Sequence, residues 1–246
     1  MNTSFMRPSL NKQLAVTLLT LGLSMSLPIS ALAVSPKPSL SLSPNTSFNS
    51  TKALAERGAA EAQFELALMY DEEEDYVQSA KWYKKAADQG HILAQYNLGV
   101  AYEIGEGVKE DKAQAFKWYL KAAEQGDADA QVQVGYMYDE GEVVPQDHVK
   151  AAEWYLKSAN QGDAVAQYNL GVAYETGEGV KQDIARAFNW YKQSAEQDDV
   201  DAQYELGRLY LNGEGVRQNT AKAKEWFSAA CDNGNEKGCE ELQDLD

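Results

Sequence analysis

Every tryptophan in the chain occupies one position of an internal repeat. Trp82, Trp118, Trp154, Trp190 and Trp226 follow one another at a constant spacing of 36 residues. A second marker, glutamine at Gln63, Gln95, Gln131, Gln167 and Gln203, keeps the same order. The string AQYNLGVAYEIGEGVKEDKAQAFKWYLKAAEQG from Ala94 to Gly126 returns with changes at Ala130, Ala166 and Ala202, and a shortened copy precedes it at Ala62. Self-similarity at this period is the signature of stacked supersecondary units, none of which can bury its apolar face alone.

Each copy reads as two helices. In the second, Ala94, Leu98, Ala101 and Tyr102 recur three and four apart and form one apolar stripe over roughly Leu93 to Ile104. Gly105-Glu106-Gly107 stops this helix A, because glycine reaches positive φ at little cost. Helix B starts near Asp111, carries Ala115, Trp118, Tyr119, Ala122 and Ala123 on one face, and ends at Gly126. Seven residues before each tryptophan stands Asp75, Asp111, Asp147, Asp183 or Asn219, a capping residue for helix B. Asp127, Asp163 and Asp199 do the same for helix A, with His91 at that position in the second copy. Gly99, Gly135, Gly171 and Gly207 fall inside helix A, where glycine costs about 1 kcal/mol against alanine, so a close approach of two helices is expected there.

The flanks divide the rest. Residues 1–33 read as a secretory signal peptide: Arg7 and Lys12, an apolar run from Leu14 to about Leu27, and the small-residue site Ala31-Leu32-Ala33. The apolar run is shorter than a membrane span needs and meets Pro28. Residues 34–51 read as a Ser/Pro-rich linker, and 52–246 as the solenoid. Its repeats cover about 59–90, 91–126, 127–162, 163–198 and 199–234, with a partial N-terminal cap at 52–58 and a C-terminal cap helix in 235–246. The net charge of −16 grows more negative when Arg7 and Lys12 leave with the signal peptide. That balance argues against binding nucleic acid or an anionic membrane surface.

Local departures are few. The first copy lacks four residues between its helices, and Asp71-Glu72-Glu73-Glu74-Asp75 replaces the glycine loop; its spacing does not fit a calcium loop, and it reads as solvated. Val143 takes the second glycine position in the third copy and Pro145 follows, which predicts a different loop shape; Asp198 replaces the terminal glycine of the fourth. The two histidines, His91 and His148, are isolated and read as surface positions without metal-ligand spacing. Cys231 and Cys239 are the only cysteines, and in an exported chain they read as one disulfide pinning a short final helix, about Glu236 to Leu242, over the open end of the stack. No cofactor is implied.

The pattern Ala-x-x-Leu-Gly-x-x-Tyr-x-x-Gly-x-Gly-Val followed by Asp-x-x-x-Ala-x-x-Trp-Tyr-x-x-Ala-Ala resembles the Sel-one-like repeat, a relative of the tetratricopeptide repeat, from about Lys52 onward. The Cys231 to Cys239 spacing also resembles that of the secreted cysteine-rich members of that family. The resemblance implies an all-α, right-handed α/α superhelical solenoid that serves as a scaffold or adaptor for a protein or peptide partner, with helix A lining the concave side. Positions alike in every copy serve stacking, and positions that differ are free for other use. On helix A the variable positions are Asn97, Val100 and Ile104, then Gln133, Tyr136 and Glu140, then Asn169, Val172 and Thr176, then Glu205, Arg208 and Asn212. Spacings of three and four put each trio on one helix face, and these residues are the candidate contacts.

Two other functions share the sequence. A secreted factor acting on host cells would use the same surface. An enzyme directed at cell-wall peptides or β-lactams would need a nucleophile with its base, and the only Ser-x-x-Lys match, Ser9 to Lys12, falls in the signal peptide. The destination is therefore periplasmic or extracellular, and the chain is expected not to be an enzyme.

Overall fold

The computed structural model describes residues 44–245. The signal-peptide reading and the linker up to residue 43 lie outside them. The described residues fall into two compact units, 44–111 and 112–245. The first holds α1 (Pro44–Glu56), α2 (Ala60–Glu72), α3 (Tyr76–Asp88) and α4 (Ile92–Ile104). The second holds α5 (Lys112–Glu124), α6 (Ala128–Glu140), α7 (His148–Ala159), α8 (Ala164–Thr176), α9 (Ile184–Ala195), α10 (Val200–Asn212), α11 (Thr220–Asp232) and α12 (Glu236–Asp244). Within each unit every helix packs on the next in chain order, and the architecture is an all-α solenoid. Even-numbered helices up to α10 are helix A of their repeats; α3, α5, α7, α9 and α11 are helix B.

The recurring glutamine is buried in all five copies. Its Nε2 donates to a carbonyl in the last turn of the preceding helix B: Gln63 to Ala55, Gln95 to Ala87, Gln131 to Ala123, Gln167 to Ala159 and Gln203 to Ala195, at 3.0 to 3.4 Å. Its Oε1 accepts from the amide that follows its own helix B, as in Gln89 to Gln63, Gln161 to Gln131, Gln197 to Gln167 and Asn233 to Gln203. One side chain thereby ties three helices together and adds a second donor to a helix-end carbonyl that already accepts the backbone N–H three residues on, as Gly162 N donates to Ala159 O at 3.0 Å.

The glycines inside helix A open space for an aromatic ring. A Cβ on Gly135, Gly171 or Gly207 would lie 2.6 to 2.7 Å from the ring of Tyr155, Tyr191 or Phe227 respectively. These three rings are fully buried. The loop glycines serve a different approach. A Cβ on Gly107 would sit 1.8 Å from the Tyr76 carbonyl oxygen, and one on Gly179 would sit 2.0 Å from that of His148. The second glycine of a loop therefore rests directly on the first residue of the preceding repeat's helix B. Val143 holds that place in the third copy without a positive φ, yet Gly141 still turns into the left-handed region and Asp147 N still donates to Tyr138 O. The end of α6 and the return to the cap of α7 thus keep the form they have in the other loops. Asp198 takes the left-handed conformation at φ 63°, one of the few non-glycine types that tolerates it.

The caps form as expected. Asp75, Asp147, Asp183 and Asn219 accept from backbone N–H groups of α3, α7, α9 and α11. Asp127, Asp163 and Asp199 cap α6, α8 and α10, and the His91 Nδ1 caps α4. His91 is not a surface residue: its side chain is largely covered, and its ring stacks on Phe64 at 4.5 Å. The carboxylate run after α2 is also not wholly solvated. Asp71 lies in the helix and accepts a 2.5 Å hydrogen bond from the Tyr83 hydroxyl.

The linker reading of residues 34–51 fails from residue 44 onward. There α1 begins, and the segment 52–58 has the helix start it was expected to lack. Serine, threonine and asparagine gave no apolar stripe, but packing overrides propensity here: Thr51 and Ala55 are buried, and Phe48 meets the Tyr70 ring edge-on at 5.7 Å. At the other end Cys231 and Cys239 are joined as a disulfide, and Leu242 and Leu245 pack against the core. The final helix runs to Asp244, slightly beyond the expected Leu242.

Gly171→Ala should destabilise the protein by roughly 1 to 2 kcal/mol, because crowding the Tyr191 ring outweighs the gain in helix propensity. Gln167→Met should cost about 1 to 2 kcal/mol by removing one of the two hydrogen bonds at the Ala159 carbonyl and one of the two at the Gln197 amide. Both are read from urea unfolding, and unchanged midpoints would sink the packing account. Reduction of the disulfide closes off a constraint of roughly 2 kcal/mol for so short a loop. Hydrogen exchange should then accelerate in α12 and leave α6 to α9 unchanged; unchanged protection in α12 would show that the bridge does not hold it.

Candidate functional site

The variable helix-A positions do not share one environment. The last of each trio is solvent-exposed in all four copies: Ile104, Glu140, Thr176 and Asn212. The middle one is half-buried in Val100, Tyr136 and Arg208, but Val172 is fully buried. The first is most covered. Asn169 and Gln133 are buried, while Asn97 and Glu205 are half-buried. Three of the twelve candidates, Gln133, Asn169 and Val172, are thus removed from any contact surface. The reason is packing around an interior repeat: Val172 belongs to a core cluster that also contains Val132 of α6, Leu170 of α8 and Leu206 of α10. Variation between copies at these positions adjusts the fit between helices rather than a surface.

Two further candidates are committed inside the protein. Asn97 is hydrogen-bonded to the Tyr83 side chain. Arg208 meets three carboxylates: Nε to Glu205 at 2.7 Å, Nη1 to Glu214 at 3.0 Å, and Nη2 to Glu175. Burial opposes its charge, but Glu205, Glu175 and Glu214 outweigh it and hold the guanidinium above its ordinary pKa. Burial raises the Glu205 carboxyl, with Arg208 pulling it down and Glu175 pushing it up. Two of these carboxylates also constrain Tyr191, whose hydroxyl donates to Glu175 at 2.7 Å. Burial, then Glu175 and Glu205, drive that phenol well above the usual range.

The tyrosine–carboxylate pair was missed by sequence reasoning, although a signal for it exists. Eight residues after the glutamine marker stands Asp71, Glu103, Asp139 or Glu175, and Tyr83, Tyr119, Tyr155 or Tyr191 follows the tryptophan. In the last copy both partners change together, to Leu211 and Phe227. Joint loss of acid and phenol is what a hydrogen-bonded pair requires, since either alone would leave a polar group in the core.

What remains accessible in residues 112–245 is a row one repeat apart, Glu140, Thr176 and Asn212, flanked by the half-buried Tyr136, Glu205 and Arg208. In residues 44–111 it is Ile104 with half-buried Val100. Such rows present side chains of different chemistry one repeat apart. Among the described residues no group of three or more His, Cys, Asp or Glu is arranged to hold a metal ion, and no helix is long and apolar enough to cross a membrane.

Comparison with known proteins agrees with this architecture. The crystal structure of c5321, a protective antigen of uropathogenic Escherichia coli with an SLR fold, is 39% identical with a TM-score of 0.77, covering 80% of this chain and 43% of that one. A Sel1 repeat protein from Oxalobacter formigenes is 33% identical with a TM-score of 0.72, covering 83% of this chain and 60% of that one. The chain therefore spans less than two thirds of the length of either. No curated protein matches it. Sel1 repeat proteins generally mediate protein–protein interactions, and most are scaffolds rather than enzymes. The Sel1 repeat model matches residues 60–91, 92–127, 128–163, 164–199 and 200–235, each one residue later than the boundaries read from the sequence, and the chain belongs to the Sel1 repeat family.

Proposed function

We propose that the chain is an exported interaction scaffold that binds a protein or peptide through the exposed ends of its A helices. The observation that carries this reading is the contrast along those helices. The marker glutamines and the alanines before them, alike in every copy, are buried in stacking, whereas Ile104, Glu140, Thr176 and Asn212 vary and stay open to solvent. Exposed positions that differ from copy to copy offer a partner a surface that stacking does not constrain. Export is supported by the signal-like segment 1–33 and by the disulfide, which persists in oxidising compartments. The likeness to a protective antigen favours a position outside the cytoplasm, where a host-directed factor and an envelope scaffold would use the same chemistry.

The test is a pull-down from the native host with the chain from Val34 onward as bait, beside the variant Glu140→Ala/Thr176→Ala/Asn212→Ala. These exposed substitutions should change stability by no more than about 0.5 kcal/mol each, so loss of a captured partner reports the surface itself. Weakening by tenfold or more supports the reading. Equal capture by both proteins moves the site away from these three positions. Arg208→Ala belongs in a separate arm, since it strands three carboxylates and should lower stability by about 2 kcal/mol whether or not a partner touches it.

A further inference from the structure

The third repeat breaks the tyrosine–carboxylate rule. Tyr155 is the counterpart of Tyr83 and Tyr191 and is fully buried, but among the described residues its hydroxyl has no hydrogen-bond partner. Its expected acceptor, Asp139, is occupied instead by His148, whose Nδ1 lies 2.7 Å from Oδ1. No other repeat has a histidine at this place; the equivalent residues are Tyr76, Lys112, Ile184 and Thr220. His148 is the first residue of α7, and its carbonyl is the one on which Gly179 rests.

We propose that Asp139 is a shared acceptor that passes between His148 and Tyr155, and that protonation of His148 decides which partner holds it. An imidazolium donates a charge-assisted bond to the carboxylate, and a neutral imidazole donates a weaker one or presents the other tautomer. An unmet phenol in the core costs the full desolvation of its hydroxyl. With His148 charged, Asp139 stays with it and Tyr155 is unpaired. With His148 neutral, the carboxylate turns to the phenol and restores the geometry of Tyr83 with Asp71 and Tyr191 with Glu175. Other charges face the exchange from each packed element. Tyr136 and Glu140 of α6 act on Tyr155, and Glu178 of the loop after α8 acts on Asp139. Within α7 and its cap, Lys150 is already paired with Asp147 at 3.1 Å. The carboxyl of Asp139 is raised by burial and by Glu178 and lowered by His148, which fits a group whose partner matters.

The experiment compares urea unfolding of the full chain with its Tyr155→Phe variant at about pH 6 and about pH 8.5, the two sides of histidine titration. At the lower pH the variant should unfold about fivefold less readily, because it removes a buried hydroxyl that makes no bond there. At the higher pH the variant should unfold about fivefold more readily. In a His148→Gln background the difference should no longer depend on pH. Tyr191→Phe, whose acceptor has no histidine, supplies the pH-independent control. A Tyr155→Phe cost that is equal at both pH values, or one that keeps its pH dependence without His148, overturns the proposal.

Discussion

The stack depends on a buried amide. Each marker glutamine bridges the end of one helix B and the helix A that carries it, and Gln63, Gln131, Gln167 and Gln203 also accept from the amide that closes their own helix B. Hydrophobic burial alone is non-directional and would let neighbouring helix pairs slide by a turn. A buried amide cannot slide without stranding a donor and an acceptor, so the hydrogen bonds set the register that the apolar faces then fill. This is why glutamine, an ordinary surface residue elsewhere, recurs with the same regularity as tryptophan. Tryptophan plays a different part: in three copies a lysine three residues on, Lys85, Lys121 or Lys157, lies over its ring at 3.4 to 3.8 Å, covering a face that helix packing leaves near solvent.

Much of this was legible in the sequence because a repeat states its own rules several times. The two helices per copy, the aspartate caps, the intrahelical glycines and the Cys231–Cys239 pair were all readable, since each has a local cause that spacing exposes. Two things were not. The start of α1 has no apolar stripe, because its helical state comes from the neighbour it packs on. The burial of Gln133, Asn169 and Val172 depends on what lies across from them, and variability within one chain does not separate a surface that adapts to partners from an interior that adapts to itself. Arg208 illustrates the same limit: its charge suggested a contact, while its geometry satisfies three carboxylates inside the protein.

The deviations are informative because the repeat supplies its own controls. Leu211 with Phe227 shows that the acid and the phenol form a unit, and Asp139 with Tyr155 shows that unit interrupted by a histidine. Such departures stand out in a solenoid because each copy meets nearly the same neighbours.

The C-terminal bridge repeats the glutamine clamp in another chemistry. The marker glutamine of a repeat reaches a carbonyl eight positions earlier, as Gln203 reaches Ala195. Cys239 stands one period after Gln203, and its partner Cys231 also lies eight positions earlier. The last joint is thus covalent where the others are hydrogen-bonded. Tension applied to the chain beyond Cys239 passes in part through the sulfur atoms directly into α11, and the turn between the two cysteines cannot be drawn out further than the bridge allows. An anchor or tether attached at that end would pull on the body of the solenoid rather than peel away its final helix.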